Sequence, residues 1–213
     1  MAEPLRVNPT RMELTRIKKR LVTAVRGHKL LKDKRDEMVR QFITLVRENA
    51  ALRVEVENDL KGALGNFALA RAVMDPVAVE EAVLYPARKI AIRTEFKNIL
   101  SVHVPHIEMD ESQKKDEVIL SYGFAETSAQ LDDAISVMAG VLPKLLKLAE
   151  IEKSCDLLAD EIEKTRRRVN ALEYVMIPQF EATIRQISMK LEENERGSTT
   201  RLMKVKDMIA ERN

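Results

Sequence analysis

An uninterrupted heptad pattern in the N-terminal third constrains the fold of this chain more than any other feature. Over residues 14–70, apolar side chains recur at alternating steps of four and three, which aligns them along one side of an α-helix. Such a helix is roughly 85 Å long and buries its apolar seam only against a partner helix. The seam residues are Leu14, Ile17, Leu21, Ala24, Leu31, Met38, Phe42, Leu45, Leu52, Val56, Ala63 and Ala70.

A second heptad pattern in the C-terminal third provides the partner helix. It runs from Leu148 to Met176 and continues at Phe180 only if one three-residue step becomes four, a slip that unwinds a coiled coil locally. Pro178 lies at this slip and is expected to bend the helix. After a loosened turn at residues 197–200, the seam is expected to resume at Leu202, Val205 and Ile209.

The starts of both helices carry capping signals. Thr10 and Glu13 have capping-box spacing, with Asn8 as an alternative cap, and Thr127 and Gln130 repeat the box at the second helix. These signals place the helix starts close to residues 10 and 127.

The middle third predicts a short helix followed by a β-hairpin. Asp75 and Pro76 have the spacing of a cap and a first helical position. Period-two alternation over residues 90–104 indicates a strand, residues 109–116 a polar loop, and residues 118–124 a second strand. The apolar face of the first strand is assigned to Ile90, Ile92, Thr94, Phe96, Leu100, Val102 and Val104.

These patterns together predict a mainly α fold. Because the hairpin separates two long helices of similar length, the helices run back along each other as a two-stranded antiparallel left-handed coiled coil. The short helix and the hairpin form a collar in the middle third. The predicted segments are an N-terminal arm over residues 1–74, a middle region over 75–126 and a C-terminal arm over 127–213.

Composition favours long helices and offers little chemistry. The chain has 36 basic and 34 acidic residues and a single cysteine, Cys155, which excludes an internal disulfide. It has no P-loop and no apolar run long enough to span a membrane. His103 and His106 lack a third ligand nearby and are predicted to be exposed hairpin residues. We therefore expect a non-catalytic cytoplasmic protein without a cofactor or metal.

A basic run marks the first helix. Over residues 11–35, ten basic residues face two acidic ones. The run could bind nucleic acid, but it is interleaved with seam residues and has no aromatic side chains for base stacking. In an antiparallel pair it would lie near Glu192, Glu193 and Glu195, where opposite charges help to select the alignment.

Three sequence blocks stand out against the heptads. One is NALEYVMIP at residues 170–178; another combines NPTRMEL at 8–14 with GHKLLKDKRD at 27–36; a third begins with YG at 122–123 and continues with TS at 127–128. In collinear order they resemble the D subunit of V-type and archaeal-type rotary ATPases. The signature and kink residues are Asn170, Glu173, Tyr174, Ile177, Pro178 and Thr183.

The resemblance implies a central rotor shaft, which couples ATP synthesis or hydrolysis in a catalytic hexamer to ion translocation by a membrane rotor. The implied partners are the F subunit of the central stalk, the catalytic A and regulatory B subunits of the hexamer, and the adaptor subunit (C/d) of the membrane rotor. The chain itself is expected to be peripheral to the membrane, on its cytoplasmic side, and to bind no nucleic acid.

Contact sites for these partners are predicted at the shaft tip and at the hairpin. The expected hexamer contacts are Arg11, Arg16, Lys18, Lys19, Arg20, Arg201, Lys204 and Lys206. The expected hairpin contacts are Val102, Val104, Val118 and Leu120.

Two other functions also fit a helical arm. A chaperone similar to prefoldin joins coiled-coil helices through β-hairpins and holds unfolded chains at the helix tips. A nucleic-acid-binding arm would use the basic run and would bind in a salt-sensitive manner. Neither alternative accounts for the block around Pro178.

Overall fold

Four α-helices, a π-helical turn and a β-hairpin follow one another in the computed structural model, which describes residues 3–84, 90–109, 120, 122–123 and 127–210. Long helices at both ends and a two-stranded antiparallel sheet between them confirm the predicted mainly α fold. The chain divides into one unit of Met1–Glu37 with Ile162–Asn213 and another of Met38–Glu161. The elements are α1 (Arg11–Val73), α2 (Pro76–Leu84), β1 (Ile92–Ile99), β2 (Val102–Met109), α3 (Ala129–Ala171), the π-turn (Leu172–Met176) and α4 (Ile177–Ala210).

The cap predicted at Thr10 begins α1. The Glu13 backbone N–H donates to Thr10 Oγ1 at 3.2 Å, and the Leu14 N–H donates to the Thr10 carbonyl at 3.0 Å. The alternative cap, Asn8, forms only the preceding turn, in which its carbonyl accepts a hydrogen bond from the Thr10 N–H. From Arg11 the helix continues for 63 residues without a proline, as the unbroken heptads predict.

In the first unit, α1 packs against α4 in antiparallel orientation. Arg11 lies beside Glu195 and His28 beside Glu173, so residue numbers on one helix rise as those on the other fall. Since neither apolar stripe could be buried alone, the paired seam holds this unit together. The seam cluster contains buried Ile17, Phe180 and Ile187, with Leu5, Leu14, Leu21, Ala24, Ile184 and Leu191 packed against it.

In the second unit, α1 packs against α3 in the same antiparallel sense, and the hairpin joins the seam. Lys144 Nζ on α3 donates to Asp59 Oδ2 at 2.8 Å and to Glu55 Oε1 at 2.6 Å. Asp59 is a polar residue at the heptad position that follows Leu52, so its partner on the other helix favours this alignment. One apolar cluster contains Ala70, Met74, Val79, Ala82 and Leu131. The other contains Val102, Val104 and Leu158, with Phe42, Leu45, Ile99 and Leu157 around them.

The hairpin turns at Leu100 and Ser101, and the predicted single strand over residues 90–104 is wrong. Both turn residues have positive φ, 50° and 74°, which Asn-Gly or Asp-Gly adopts more readily, so the sequence contains no usual turn signal. Asn98 Oδ1 supports the turn by accepting a hydrogen bond from the Ser101 N–H at 2.9 Å. Of the second predicted strand over residues 118–124, Leu120 lies outside any strand and Val118 lies outside the described residues.

The two-residue turn also reverses which residues face inwards. Ile99 pairs with Val102, so an odd-numbered residue before the turn shares a face with an even-numbered residue after it. The inner face therefore carries Val102 and Val104, whereas Ile92 and Phe96 lie on the outer face. Assigning all four side chains to one face was wrong for this reason.

The π-turn provides the register slip that the sequence places beside Pro178. The Ile177 N–H donates to the Leu172 carbonyl, five residues back instead of four. This geometry accommodates one extra residue, so a three-residue step becomes a four-residue step and Phe180 returns to the seam. Pro178 follows directly and has no N–H to donate, which removes one more regular helical hydrogen bond.

Three sequence predictions about α3 and α4 are wrong. α3 begins at Ala129, and Thr127 does not cap it, because the Thr127 hydroxyl instead donates to the Gly123 carbonyl at 3.2 Å. α4 continues as regular helix through residues 197–200, so no turn is loosened there. The apolar residues that were expected to resume the seam, Leu202, Val205 and Ile209, are exposed by 69%, 46% and 58%.

Thr183 ties the segment before α1 to α4 and provides a test of this packing. It is fully buried, its Oγ1 donates to the Gln179 carbonyl at 2.7 Å, and the same oxygen accepts from the Leu5 N–H at 2.8 Å. Thr183→Val keeps the shape but removes both hydrogen bonds. We predict that it lowers the free energy of unfolding by about 1 kcal/mol, measured by urea denaturation.

Thr199→Val is the matched control for this substitution. Thr199 makes the same bond to the carbonyl four residues back, at 2.9 Å, but its side chain is exposed on the same helix. It should change stability by less than about 0.5 kcal/mol. Equal losses from the two variants would contradict a special role for Thr183.

Candidate interaction surfaces

The predicted basic contact residues are exposed on two helices. Arg11 pairs with Glu195, in agreement with the expected approach of the acidic cluster, and Arg16 Nη1 lies 3.0 Å from Glu13 Oε1. Both pairs are solvent-exposed and contribute little to stability. The remaining cations of this set, also exposed, are Lys18, Lys19 and Arg20 on α1 and Arg201, Lys204 and Lys206 on α4.

Three of these cations line one groove in the first unit. Arg16, Lys19 and Arg20 border a cavity of about 600 Å³ whose lining is mostly apolar. Lys18, between them in sequence, does not line it. The other lining residues are Thr23, Ala24 and Gly27 on α1, Leu172 and Met176 on the π-turn, and Phe180 on α4. The sequence identified the cations but not the apolar lining, because that lining comes from two distant segments.

The signature residues divide into buried and exposed positions. Thr183 is buried in the seam, Ile177 and Pro178 are half-buried, and Asn170 is exposed. Glu173 Oε2 lies 3.3 Å from His28 Nε2 on α1. Tyr174, on the same π-turn, is 70% exposed. The block therefore combines seam packing with an exposed face, and its residues do not converge on one site.

The predicted hairpin contact residues lie mainly in the core. Val102 and Val104 pack against Leu158 of α3, with 8% and 3% of their surfaces exposed. They are therefore not available to a partner in this structure, because the two-residue turn directs both side chains inwards. Leu120 is half-buried, and Val118 is outside the described residues.

The outer face of the hairpin carries exposed apolar side chains instead. Phe96 is 75% exposed and Ile92 is 49% exposed, and their strand partners in β2 are Pro105 and Met109. A large aromatic and a β-branched residue on one solvent-facing sheet surface are typical of a contact site. We call this surface, formed by Ile92, Phe96, Pro105, Ile107 and Met109, the outer apolar face.

His106 and Glu150 anchor β2 to α3, and a second carboxylate, Glu108 on β2 itself, also contacts the histidine. His106 Nδ1 lies 2.9 Å from Glu150 Oε1, and its Nε2 lies 3.1 Å from Glu108 Oε1. The second oxygen of Glu150 accepts a hydrogen bond from the Ile107 N–H at 3.0 Å. Glu95 is the strand partner of His106 in β1 and adds a third carboxylate to this face. The sequence predicted an exposed hairpin residue; the His106 side chain is 40% exposed, but both of its ring nitrogens have carboxylate partners.

These carboxylates raise the pKa of His106 above its ordinary value of 6.5. The hydrogen bond and charge of Glu150 are the largest causes, Glu108 adds to them, and partial desolvation opposes them. Because the charged imidazolium can donate from both nitrogens, it bridges the two carboxylates. The contribution of His106 to the anchoring of β2 therefore depends on its protonation, whereas the hydrogen bond from the Ile107 N–H to Glu150 does not.

Two other titratable groups in the second unit, Cys155 and Tyr122, have pKa values that are raised by their surroundings. Burial raises the pKa of the Cys155 thiol, so its reactive thiolate is disfavoured. Burial and a 2.6 Å hydrogen bond to Asp132 raise the pKa of Tyr122. In the part of the chain that the structure describes, no group of three or more His, Cys, Asp or Glu is placed to hold a metal ion.

We predict that the anchoring by His106 weakens as the pH rises. The pKa is higher in the folded state than in the unfolded one, so the stabilisation is complete below about pH 6.5 and is lost as the pH passes through the raised pKa. The melting temperature of the wild type should therefore exceed that of His106→Gln most at acidic pH.

His103→Gln is the control for this pH dependence, since His103 lies on the opposite face of the hairpin. Its melting temperature should follow that of the wild type at every pH. A gap between wild type and His106→Gln that stayed constant from about pH 5 to pH 9, or widened, would contradict the anchor.

No helix in the described ranges has both the length and the apolar composition needed to cross a membrane.

Comparison with known proteins agrees with the resemblance seen in the sequence. The sequence profile of the family of ATP synthase D subunits matches residues 13–207. The chain is 58% identical over 205 residues to the V-type ATP synthase D subunit of Thermoanaerobacter sp. (strain X514), covering 96% of this chain and 97% of that one. It is 60% identical over 206 residues to the V-type ATP synthase D subunit of Clostridium novyi (strain NT), covering 96% and 95%. The chain therefore belongs to the family of ATP synthase D subunits.

Proposed function

We propose that this chain is the central-stalk rotor subunit of a V/A-type ATP synthase. In that role it couples ATP synthesis or hydrolysis in the catalytic hexamer to ion translocation by the membrane rotor. The observation that carries the proposal is the near full-length identity of 58% to a V-type ATP synthase D subunit. Family membership favours this function over the prefoldin-like chaperone and the nucleic-acid-binding arm.

The paired helices suit the transmission of torque without chemistry of their own. Two helices joined along an apolar seam resist twisting better than one helix, because twisting either would disrupt the shared packing. α1 is α-helical throughout, whereas the opposite helical arm, which consists of α3 and α4, is interrupted by the π-turn. Because the two helical arms of the pair differ, the shaft presents a different surface to each of the identical subunits around it. The catalytic subunits can therefore adopt different states. The shaft itself then needs no catalytic residue.

The exposed end of α4 is a surface that needs a partner. From Glu192 to Ala210 every described residue is exposed, although apolar and charged side chains are interspersed from Leu202 onwards. Such a helix is stabilised by contact with surrounding protein. We assign this end and the basic residues of α1 to the interior of the hexamer of A and B subunits. The exposed apolar residues at this end are Leu202, Met203, Val205, Met208 and Ile209.

The outer apolar face is assigned to the F subunit, the small partner in the central stalk. Phe96 and Ile92 offer apolar area that the chain's own core does not use. The His106 anchor holds the strand that carries Pro105 and Ile107. The adaptor subunit of the membrane rotor is proposed as the remaining partner on family membership alone, and with it a position peripheral to the cytoplasmic side of the membrane.

Reconstitution tests the proposed function directly. The purified chain, mixed with the A, B and F subunits encoded in the same genome, should form a single complex with sustained ATPase activity. Failure of the chain to enter such a complex would overturn the proposal.

Neutralising the basic residues of α1 should weaken the hexamer contact. We predict that changing Arg16, Lys18, Lys19 and Arg20 together to Gln lowers the affinity of the chain for the hexamer of A and B subunits about 30-fold, since four exposed contacts of about 0.5 kcal/mol each are lost. Affinity is measured by titration of labelled chain into the hexamer, and coupling by torque or ATP-driven ion transport.

The matched control neutralises four exposed cations elsewhere. Lys164, Arg166, Arg167 and Arg168 on α3 are exposed, and this set also includes one residue with an intrahelical acidic partner, Arg167 with Glu163. Changing them to Gln should leave hexamer affinity within about twofold of the wild type. Equal losses in both variants would point to a general effect of charge and contradict the contact model.

Removing the aromatic side chain of the outer apolar face should weaken binding of the F subunit. We predict that Phe96→Ser lowers that affinity by about tenfold to a hundredfold, because burial of a Phe side chain contributes about 1.5–3 kcal/mol. Stability of the isolated chain should not change, since Phe96 is 75% exposed. Isothermal titration with the F subunit measures the affinity.

Val73→Ser provides the control, because Val73 is 77% exposed and belongs to the end of α1, not to the hairpin. It should bind the F subunit as the wild type does. Wild-type affinity in Phe96→Ser would exclude the outer apolar face as the docking site.

A further inference from the structure

The hairpin leaves one of its two strands uncovered. In β2, Val102 and Val104 are buried against the helices, whereas in β1 every residue from Ile92 to Asn98 is exposed. Since successive side chains point to opposite faces of a strand, both faces of β1 are exposed, and β1 overhangs the helices that cover β2. A strand whose outer edge is open offers unpaired backbone groups to another strand.

The two-residue turn fixes which backbone groups of β1 point outwards. Ile99 and Val102 flank the turn and form the first hydrogen-bonded pair, so hydrogen-bonded and non-hydrogen-bonded pairs alternate from there along the ladder. The same alternation points the Ile107 N–H of β2 outwards, and this N–H is the one that donates to Glu150. The residues of β1 with outward N–H and C=O groups are Ile92, Thr94, Phe96 and Asn98.

The outer edge of β2 is closed to a further strand, whereas the outer edge of β1 is open. On β2, Pro105 has no N–H, and the N–H of Ile107 is already bonded to Glu150. On β1, no hydrogen bond within the described ranges joins the backbone of Thr94 or Phe96 to an element other than β2. A third strand therefore has its place along β1.

We propose that β1 pairs with β1 of a second copy of this chain, antiparallel and centred on Thr94, so that two hairpins form one four-stranded sheet. A twofold axis then passes between the two Thr94 residues. Ile92 lies opposite Phe96 of the second copy, and Arg93 lies opposite Glu95 of the second copy. The outward backbone groups of Ile92, Thr94 and Phe96 meet across the axis, which is the condition for a hydrogen-bonded ladder.

The side chains of β1 are complementary to themselves in this register. Aromatic with β-branched residues, Thr with Thr, and opposite charges are cross-strand pairs that stabilise antiparallel sheets. Phe96 with Ile92, Thr94 with Thr94, and Arg93 with Glu95 supply all three kinds. The twofold axis repeats the first and the last, because an isologous contact forms every such pair twice.

Neighbouring registers match less well. An axis at Glu95 would set the two Glu95 carboxylates opposite each other and Arg93 opposite Lys97, so all facing charges would be alike. An axis at Phe96 would pair Glu95 with Lys97, but it would set Arg93 opposite Ile99, which packs into the core of the second unit. Thr94 is therefore the centre at which the charged and the apolar pairs match together.

This self-complementarity identifies a second copy as the partner, because β1 itself carries the residues that β1 requires in the required order. The strands overlap from Ile92 to Phe96 and bury less than about 1,200 Å², the size of weak and transient interfaces. The pairing is therefore a property of the free chain at high concentration. It goes beyond the proposed function and does not depend on it.

Sedimentation of the full chain tests the pairing. Between about 10 μM and about 1 mM, where interfaces of this size associate, the wild type should shift reversibly from monomer to dimer. Arg93→Glu should weaken dimerisation about tenfold or more, because it sets carboxylates opposite each other on both sides of the axis. Glu95→Arg should weaken it equally, because it does the same with two cations.

An equimolar mixture of the two variants is the decisive measurement. One variant carries carboxylates at positions 93 and 95, and the other carries cations at both, so every charged pair in a mixed dimer has opposite signs. The mixture should dimerise within about threefold of the wild type, although each variant alone does not. Because Arg93 also has an interaction within its own chain, the melting temperature of each variant is compared with that of the wild type.

Lys97→Glu is the matched control. It reverses a charge on the same strand, but in the proposed register Lys97 lies opposite Ala91 of the second copy and faces no charge. It should leave the dimerisation constant unchanged. The proposal is overturned if the wild type stays monomeric up to about 1 mM, if Arg93→Glu or Glu95→Arg alone dimerises like the wild type, if their mixture does not associate, or if Lys97→Glu loses as much as they do.

Discussion

The antiparallel apolar seam is the interaction on which the rest of this structure depends. A 63-residue helix such as α1 is not stable alone in water, because one strip of apolar side chains would remain exposed along its length. In the first unit α4 covers the part of that strip around Ile17. In the second unit Leu131 and Leu158 of α3 pack against it. The hairpin is placed by the same seam, because Val102 and Val104 insert into it.

Departures from the seam create the surfaces that we assign to partners. The π-turn adds one residue to one strand, and the groove lined by Met176 and Phe180 lies beside it. The two-residue turn at Leu100 and Ser101 directs Phe96 away from the core. α4 continues past Glu195, the residue that pairs with Arg11 at the start of α1, so its last turns lack a partner within the described chain. In each case a regular element is interrupted or extended, and apolar area remains exposed.

Electrostatic contacts orient these elements more than they stabilise them. Exposed pairs such as Arg11 with Glu195 contribute little free energy, but opposite charges still favour one alignment of the helices over others. Lys144 on α3 pairs with Glu55 and Asp59 on α1, which favours the alignment of the two helices that brings these charges together. His106 does the same for the hairpin and makes its anchoring dependent on pH.

The sequence by itself determined the features that local patterns encode. The heptads predicted two long helices, Thr10 predicted where the first begins, and the spacing around Pro178 predicted a one-residue slip, because each is written in residues close together in the chain. The turn at Leu100 and Ser101 was not predictable, since neither residue favours positive φ and packing of Val102 and Val104 on the helices holds them there. The lining of the groove and the exposure of Leu202 and Ile209 likewise depend on which residues of two distant helices come to lie side by side. That alignment is decided only by the tertiary structure, because burial depends on the contacts of a residue and not on its own periodicity.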